Sequence, residues 1–240
     1  MIRPSSRALR IVVTAGPTRE RIDPIRFISN RSTGTMGFAI AEEARRRGHA
    51  VTLVTGPVGL PRLQEVRVIP VEDARGMKRE VAREFRRADA LIMAAAVCDW
   101  RPERAKRGKL KKDLSADTAG GTGRVCLMLR ENPDILAEAG RKKGRRIVAG
   151  FALETGRILA HARQKLKAKN LDFIVANRLV PGRALFGPHR ADFLIIDRSG
   201  LIRQYRNATK RRLAGGIIDK LEAMCYSTHS RETPLMKDEA

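Results

Sequence analysis

The stretch RIVVTAGPTRERIDPIRFISNRSTGTMGFAIAEEARRRG, residues 10–48, decides the fold. Its first residues are mostly apolar and β-branched and stop at Gly16-Pro17, which predicts a buried strand that runs into a loop. After residue 35 the apolar residues return at helical spacing, and Gly48 provides a C-cap. A strand, a long loop and a helix in this order predict the first unit of an α/β domain.

The same alternation continues along the chain. Further strands are predicted at 50–56, 66–71, 90–97, 145–152 and 171–177, and helices at about 73–87, 133–143 and 154–169. Asn132 is the expected N-cap of the helix at 133–143, because Pro133 suits the first helical position. A hairpin at 191–197 and 201–206 and a closing helix at about 208–224 follow. This pattern predicts an α/β fold with a mostly parallel sheet flanked by helices.

Three segments interrupt the alternation. Residues 99–124 are polar, glycine-rich and strongly basic. We interpret them as an excursion from the sheet that stays mobile unless a ligand or another subunit orders it. Residues 178–190 are predicted to form a loop, and residues 227–240 a disordered tail. A single domain is therefore expected over residues 1–226.

The composition limits the class of protein. The 240 residues include 49 Lys and Arg against 26 Asp and Glu, a net charge of +23, and 42% of them are hydrophobic. This hydrophobic content argues against wholesale disorder, and the apolar runs are too short to span a bilayer. No signal peptide is visible, and the cysteines at 98, 126 and 225 form neither a disulfide framework nor a zinc motif. We therefore expect a cytoplasmic protein.

The positive charge favours polyanionic partners, either nucleic acid or a small ligand with several phosphates. The alternative is that the excess arginine decorates the surface, as is typical of a GC-rich genome. With one Trp, two Tyr and seven Phe, the chain has few stacking platforms for single-stranded nucleic acid.

Two loops are candidates for chemistry. The segment 29–37 places small residues directly before a helix, where backbone N–H groups and the helix dipole can bind a phosphate. Asp99 follows the small residues at 94–96, at the carboxyl end of a strand, where it can hold a magnesium ion or a ligand hydroxyl. The alternatives are a plain turn for the first loop and a cap or turn residue for Asp99.

Basic side chains supply the remaining candidates. The lysines and arginine between 106 and 112 can close over a triphosphate as a flap, or they can form a solvated run of charge. Lys165 and Lys169 share one helical face, which by itself is also typical of a protein surface. The four histidines fit no metal or nucleophile motif. Electrostatics and positioning are therefore the expected means of catalysis.

Eight motifs occur together in this sequence. They are TAGPTRERIDPIRFISNRSTGTMGFAIA (14–41), VTLVTGPV (51–58), AAAVCDWRP (94–102), KLKK (109–112), NPDIL (132–136), GFALET (150–155), KLKAKN (165–170) and IVAN (174–177). In order and at nearly the same spacing, they resemble the bacterial phosphopantothenate–cysteine ligases over about residues 10–205. Eight co-ordered motifs are far more specific than any one of them.

The resemblance implies a Rossmann-like sheet with a small inserted β flap that serves as a dimerisation element, and a homodimer. It implies an enzyme of coenzyme A biosynthesis that joins 4'-phosphopantothenate to L-cysteine in an amide bond. The bacterial type consumes CTP with magnesium, forms an acyl-cytidylate and pyrophosphate, and releases CMP when the cysteine amine attacks. Because only about ten residues precede the first strand, we expect a stand-alone ligase without the flavin-dependent decarboxylase domain and its activity.

The resemblance also assigns roles to individual residues. It assigns catalysis to Asn30 and Lys109. It assigns nucleotide binding to Ser32, Gly34, Gly37, Asp99, Lys109, Asn132, Pro133, Asp134, Ile135, Phe151, Lys165 and Lys169. The substrate is assigned to Arg26, Asn30, Arg31, Ala95 and Ala96, and the metal to Asp99 and Asp134.

Three residues depart from the bacterial pattern. Thr35 stands in place of the usual lysine and so removes a positive charge near the triphosphate, while Cys98 and Leu153 stand in place of alanines. We expect Cys98 to be a small buried residue rather than a reactive thiol. The alternatives are the ATP-dependent ligase of eukaryotes, a family member that binds nucleotide without turnover, and a nucleic-acid-binding protein. Beside a ligase activity, any binding of nucleic acid is expected to be nonspecific.

Overall fold

The computed structural model describes residues 7–111, 125–178 and 190–229. The strands in these ranges are β1 (Arg10–Ala15), β2 (Arg19–Arg21), β3 (Phe27–Ser29), β4 (Ala50–Thr55), β5 (Arg67–Pro70), β6 (Ala90–Met93), β7 (Trp100–Pro102), β8 (Leu129–Glu131), β9 (Ile147–Glu154), β10 (Phe173–Arg178), β11 (Ala191–Asp197) and β12 (Ile202–Ala208). The helices are α1 (Thr35–Arg46), α2 (Ala74–Phe85), α3 (Ile135–Lys142), α4 (Ile158–Ala168) and α5 (Lys210–His229).

The main sheet has the order β12-β11-β10-β9-β6-β1-β4-β5. The strands from β10 to β5 are parallel, and β11 and β12 extend the β10 edge in antiparallel pairing. Counted along the chain, the parallel strands lie in the order 3-2-1-4-5-6 of a Rossmann sheet. The predicted α/β fold with a mostly parallel sheet is confirmed.

Helices cover both faces of the sheet because successive residues of each parallel strand point to opposite sides. On β1, Ile11 and Val13 belong to the core beneath α1 and α5, whereas Val12 belongs to the core beneath α2, α3 and α4. Strand β6 is buried along its whole length, as expected of a central strand that is covered on both faces.

Two small antiparallel sheets stand outside the main sheet. Strands β2 and β3 form a hairpin in the loop after β1, and β7 pairs with β8. The β7–β8 pair brackets the basic excursion, and it supplies the described part of the inserted β element that the resemblance implies. Residues 112–124, half of the segment that is expected to be mobile, lie outside the described residues.

The base of this excursion is attached to the β2–β3 hairpin. The N–H of Lys106 donates to Ile22 O at 2.9 Å. The N–H of Leu110 donates to a carboxylate oxygen of Asp23 at 3.1 Å. Asp23 is buried, and it also accepts from the N–H groups of Ile25 and Arg26. Burial alone would raise the pKa of Asp23, but these backbone donors outweigh it and lower the pKa.

The N-terminus of α3 differs from the prediction. The N-cap is Asp134, whose carboxylate accepts from the N–H of Ala137 at 2.9 Å, and Asn132 and Pro133 precede it. The amide of Asn132 instead donates to Cys98 O at 2.9 Å and accepts from Arg101 Nη1 at 3.0 Å. The side chain of Asn132, which the local sequence predicts as the cap, is therefore engaged in tertiary contacts instead.

Other boundaries shift by a few residues. Strand β6 ends at Met93, not at residue 97, because Ala95 bonds to the side chain of Thr14 on β1 and Ala96 bonds to Gly16 in the loop that leaves β1. Helix α5 continues to His229, past the predicted start of the tail at residue 227. The predicted loop at 178–190, except its ends, and the rest of the tail lie outside the described residues.

Within the described ranges, none of the helices combines the length and the apolar character that crossing a membrane requires.

Candidate functional site

A cavity of about 600 Å³ opens at the carboxyl ends of β1 and β6. The strand order reverses between these two strands, since β1 also pairs with β4 and β6 with β9. In open α/β sheets this reversal leaves a crevice in which ligands bind. The cavity is lined by residues 30–36, 93–99, 131–136 and 151–153 and by Lys165, Lys169, Asn177, Phe193 and Lys210.

Hydrogen bonds join β1 and the loop that leaves it to the loop that leaves β6. The N–H of Ala96 donates to Gly16 O at 2.9 Å, and the N–H of Ala95 donates to Thr14 Oγ1 at 3.1 Å. Both alanines lie in the cavity wall, where their small side chains keep the crevice wide.

Asn30 is fixed across this junction. Its Nδ2 donates to Val97 O at 2.9 Å and lies 3.5 Å from Ala96 O. An amide does not titrate, so Asn30 presents the same hydrogen-bonding groups to the cavity at every pH. Its neighbour Arg31 also lines the cavity.

Cys98 lies beneath the same junction and is 3% exposed. Its N–H donates to Thr18 Oγ1 at 2.9 Å, and its Sγ donates to Thr18 O at 3.5 Å. Burial raises the pKa of the Cys98 thiol, which therefore stays protonated. The expectation of a small buried residue is confirmed, and Cys98 ties the loop after β6 to the loop after β1.

The N-terminus of α1 forms one side of the cavity. Gly34 is its N-cap with φ of 75°, and a Cβ at this position would lie 2.8 Å from Val58 Cγ1. The Ser32 hydroxyl accepts from the N–H of Gly34 at 3.3 Å, and the hydroxyls of Thr33 and Thr35 share a hydrogen bond. Backbone N–H groups, hydroxyls and the positive end of a helix dipole thus meet here, which suits a phosphate.

Gly37 packs closely against β1. It lies outside the cavity wall, and a Cβ at this position would lie 2.6 Å from both Ala15 Cβ and Thr14 O. The structure therefore shows Gly37 in the close packing of α1 on β1, and its predicted phosphate contact stays a prediction.

The opposite side of the cavity is formed by the start of α3 and the end of α4. Lys169 Nζ lies 2.7 Å from Asp134 Oδ2. Burial opposes ionisation of Asp134, but the bonds from Lys169 and from the N–H of Ala137 outweigh it and lower its pKa. Pro133 and Ile135 lie beside Asp134 in the wall.

Lys165 lies one helical turn before Lys169, and its Nζ donates to Phe151 O at 2.9 Å. Burial lowers the pKa of Lys165, and the nearby Lys169 ammonium lowers it further. Two lysines and the Phe151 ring thus line the same wall.

The cavity is also lined by Lys210, Asn177 and Phe193, and none of these is among the predicted site residues. Lys210 Nζ donates to Thr35 Oγ1 at 3.2 Å, and burial lowers the pKa of Lys210. Asn177 has a weak signal in the IVAN motif, at the carboxyl end of a parallel strand. Lys210 has none, because its neighbours Arg211 and Arg212 are equally basic.

Besides Gly37, two predicted residues lie outside the cavity wall. Arg26 Nη1 lies 3.5 Å from Asp23 Oδ2, and its Nη2 donates to Leu110 O at 3.2 Å, so Arg26 binds the base of the excursion. Lys109 is exposed next to Leu110. All the other predicted site residues except Gly37 contribute to the wall.

The metal prediction concerns Asp99 and Asp134, and both line the cavity. Among the residues that the structure describes, no group of three or more His, Cys, Asp or Glu side chains is arranged to hold a metal ion. The carboxylate of Asp134 is already bound by Lys169, and it caps α3 by accepting from the N–H of Ala137. Asp99 is exposed and is the more suitable of the two for a metal that arrives with a phosphate ligand.

Comparison with known proteins identifies related chains. The coenzyme A biosynthesis bifunctional protein CoaBC of Bacillus subtilis is 39% identical over 222 residues, which cover 92% of this chain and 53% of that protein. The CoaBC of Escherichia coli is 45% identical over 170 residues, 70% of this chain and 41% of that protein. A cysteine/cysteine sulfinic acid decarboxylase from an unknown prokaryotic organism is 44% identical over 219 residues, 90% of this chain and 59% of that protein. The chain thus spans about half the length of these relatives.

Solved structures agree with the fold. The crystal structure of the C-terminal domain of CoaBC matches with a TM-score of 0.76 and 33% identity, over 91% of this chain and 96% of that one. The Cab2 mutant H337A in complex with phosphopantothenate-cysteine matches with a TM-score of 0.74, and its 16% identity shows the fold alone. The family model described as "DNA/pantothenate metabolism flavoprotein C-terminal domain" matches residues 7–224. This chain therefore belongs to the family of DNA/pantothenate metabolism flavoprotein C-terminal domains.

Proposed function

We propose that this chain joins 4'-phosphopantothenate to L-cysteine at the expense of CTP. One observation carries the proposal: four segments that are far apart in the sequence enclose one cavity at the switch point of the sheet. They are the loops at 30–36, 94–99 and 131–136 and the lysine pair Lys165 and Lys169. The resemblance assigns all four to a single nucleotide and substrate site, and membership of the family supports that assignment.

The reaction has two steps. In the first, a carboxylate oxygen of phosphopantothenate attacks the α-phosphorus of CTP, the bond to the leaving pyrophosphate breaks, and an acyl-cytidylate forms. In the second, the cysteine amine attacks the acyl carbon, loses a proton, and displaces CMP. No group of the protein needs to form a covalent bond, so the protein acts by positioning and by neutralising charge.

The residues of the cavity divide this work. The N-terminus of α1, with Ser32 and Gly34, binds phosphate oxygens. Lys165 and Lys169 neutralise the nucleotide on the opposite side. Asn30, held by its bond to Val97 O, orients the reacting carboxylate, and its amide can donate to the acyl oxygen as charge develops there.

Magnesium fits this site as a partner of the triphosphate, because Mg²⁺ is commonly bound by one or two carboxylates together with substrate phosphates. Asp99 would hold it from the cavity wall. When bound, the metal supplies charge neutralisation on the phosphate chain. Asp134 is the weaker candidate, since Lys169 already binds its carboxylate.

We further propose that the chain acts in the cytoplasm as a homodimer. The side chains of Trp100, Met128 and Leu129 on and beside the β7–β8 pair are 53%, 73% and 45% exposed. Burial of these apolar groups by a second copy of the chain would stabilise a dimer at the inserted element.

The test is pyrophosphate release from the purified protein with magnesium, phosphopantothenate and cysteine, run in parallel with CTP and ATP. We expect turnover with CTP that depends on phosphopantothenate. Turnover with ATP alone would retain the reaction and overturn the choice of nucleotide.

Release of CO₂ from cysteine or cysteine sulfinate is measured in the same samples. That activity without pyrophosphate release would replace the ligase proposal.

Lys109 tests the mechanism separately. We expect Lys109→Gln to slow turnover at least tenfold, because the flap would lack a cation over the triphosphate. Its thermal stability should match that of the parent chain, since Lys109 is exposed. The exposed Arg104→Gln, which lies before the run of 106–112, is the control for loss of a charge on the same segment. Parent-like turnover of Lys109→Gln would remove Lys109 from the mechanism.

A further inference from the structure

The start of α5 contributes an unexpected cation to the cavity. Lys210 is the first residue of α5, and its ammonium donates to the hydroxyl of Thr35, the first residue of α1, at 3.2 Å. The Thr35 hydroxyl also shares a hydrogen bond with Thr33. An ammonium and two hydroxyls therefore converge beside the N-terminus of α1, and all three side chains line the cavity.

The two helix N-termini that meet here are both positive in character. Helix N-termini favour acidic side chains, yet the first turns of α1 and α5 carry none, and α5 begins with Lys210, Arg211 and Arg212. Burial lowers the pKa of Lys210, whose ammonium lines the cavity. An anion beside Thr35 would offset both the ammonium and the dipole of α1.

We propose that Lys210, with the hydroxyls of Thr33 and Thr35, binds the part of the nucleoside triphosphate that leaves as pyrophosphate. This inference rests on the proposed function. It places the leaving pyrophosphate at the N-terminus of α1, on the side of the cavity opposite Lys165 and Lys169. Lys210 thereby supplies the positive charge that Thr35 does not provide.

The proposal distinguishes triphosphate from monophosphate. Loss of the ammonium in Lys210→Met should weaken binding of CTP, and of inorganic pyrophosphate, by about tenfold or more, as is typical of a lost charge-assisted hydrogen bond. Binding of CMP should change less than about twofold, because CMP lacks the phosphates in question. Lys210→Arg keeps a cation and should retain most of the affinity.

The experiment is isothermal titration calorimetry of CTP, ATP, CMP and pyrophosphate, each with magnesium, against the full chain and its variants. Arg211→Met is the matched control, since Arg211 is exposed on the same helical turn and lies outside the cavity wall. A second variant, Thr35→Lys combined with Lys210→Met, returns an ammonium to the same place and should recover affinity for CTP. Circular dichroism verifies that each variant is folded.

The outcomes separate this inference from the proposed function. If Lys210→Met binds CTP as tightly as Arg211→Met does, or loses CTP and CMP equally, the assignment of Lys210 is overturned. If the parent chain binds ATP but not CTP, the nucleotide of the proposed function is wrong, and the same comparison with ATP decides the role of Lys210. If the parent chain binds none of the four compounds, both proposals are overturned.

Discussion

Cys98 shows how burial decides the chemistry of one residue. Its thiol lies against the carbonyl oxygens of Thr18 and Ile28, and burial raises its pKa. Cys225 is also buried, and burial raises its pKa to about 12. Cys126 is exposed. Since the thiolate is the reactive form, the three cysteines should differ sharply in reactivity.

We therefore expect iodoacetamide at pH 8 to label Cys126 in the folded protein and to leave Cys98 and Cys225 unmodified. Peptide mass spectrometry measures the modified fraction at each position. Labelling in urea, where all three thiols should react, is the control. Rapid labelling of Cys98 in the folded protein would show that its loop junction opens in solution.

Lys165 has a pKa lowered by burial and by Lys169, which gives a prediction about pH. A triphosphate is bound by the charged ammonium, so affinity should fall as pH rises through the lowered pKa. In Lys165→Arg the guanidinium stays charged, and this loss of affinity should move to higher pH.

The measurement is the KM for CTP between pH 7 and 10. Lys167→Arg is the matched control, because Lys167 is exposed on the same helix and lies outside the cavity wall. An unchanged pH profile in Lys165→Arg would mean that a different group sets the alkaline limit.

At the scale of elements, a cluster of charges clamps α1 to α5. Arg47, which follows α1, donates to Glu43 Oε1 at 2.8 Å, to Asp219 Oδ1 at 2.7 Å and to Glu222 Oε2 at 2.9 Å. Bonds from Arg46, together with those from Arg47 and against the effect of burial, lower the pKa of Glu43 to about 2. The clamp holds together the two helices whose first residues are Thr35 and Lys210.

Glu43→Gln should lower the free energy of unfolding at pH 7 by about 1–3 kcal/mol, as expected for a lost hydrogen bond to a charged group. Because the pKa of Glu43 is depressed in the folded state, its contribution is present above its ordinary pKa of 4.5 and is lost as pH falls toward about 2. The difference between Glu43→Gln and the parent chain should therefore shrink over this interval.

Urea unfolding at a series of pH values measures this difference. Glu65→Gln is the control, since Glu65 forms an exposed ion pair with Arg45 and should contribute less than about 1 kcal/mol. A constant difference for Glu43→Gln between pH 7 and 2 would contradict the assigned linkage.

The elements also show what the sequence predicts and what it does not. The alternation of apolar strands and amphipathic helices predicted the parallel sheet, because each strand and helix carries its own periodicity. The cap at Asn132 was wrong, since the bonds to Cys98 and Arg101 come from segments distant in sequence. The β2–β3 hairpin was missed because each strand has only three residues and β2 is wholly polar, so the two strands carry little alternation of apolar and polar residues.

The cavity residues were likewise predicted where the signal is local in sequence and missed where it is not. Loops with a local signature, such as 30–36 and 131–136, were predicted, and they lie in the wall. Lys210 was missed because its partner Thr35 is 175 residues away in the chain, and no sequence pattern around either residue indicates the contact.

Dissociation of the proposed dimer can be measured by the fluorescence of Trp100, the single tryptophan of the chain. Sedimentation should give twice the mass of one chain. Since Trp100 is 53% exposed in one chain, its emission should move to longer wavelength when the dimer dissociates.

Met128→Glu should favour the monomer, because it places a charge among the apolar side chains of the β7–β8 pair. Leu201→Glu alters a side chain that is 62% exposed in the β11–β12 turn and is the control. A dimer that persists unchanged in Met128→Glu would place the interface elsewhere on the molecule.

The contact between Thr35 and Lys210 has a consequence for biosynthesis. A ribosome releases Thr35 long before Lys210, since the chain is made from its N-terminus. A nascent chain can therefore form β1, α1 and the strands around them before α5 exists. The ammonium reaches the cavity only when this last helix packs on α1. The proposed triphosphate site is thus completed late, and a chain that stops short of α5 would fold around an incomplete one.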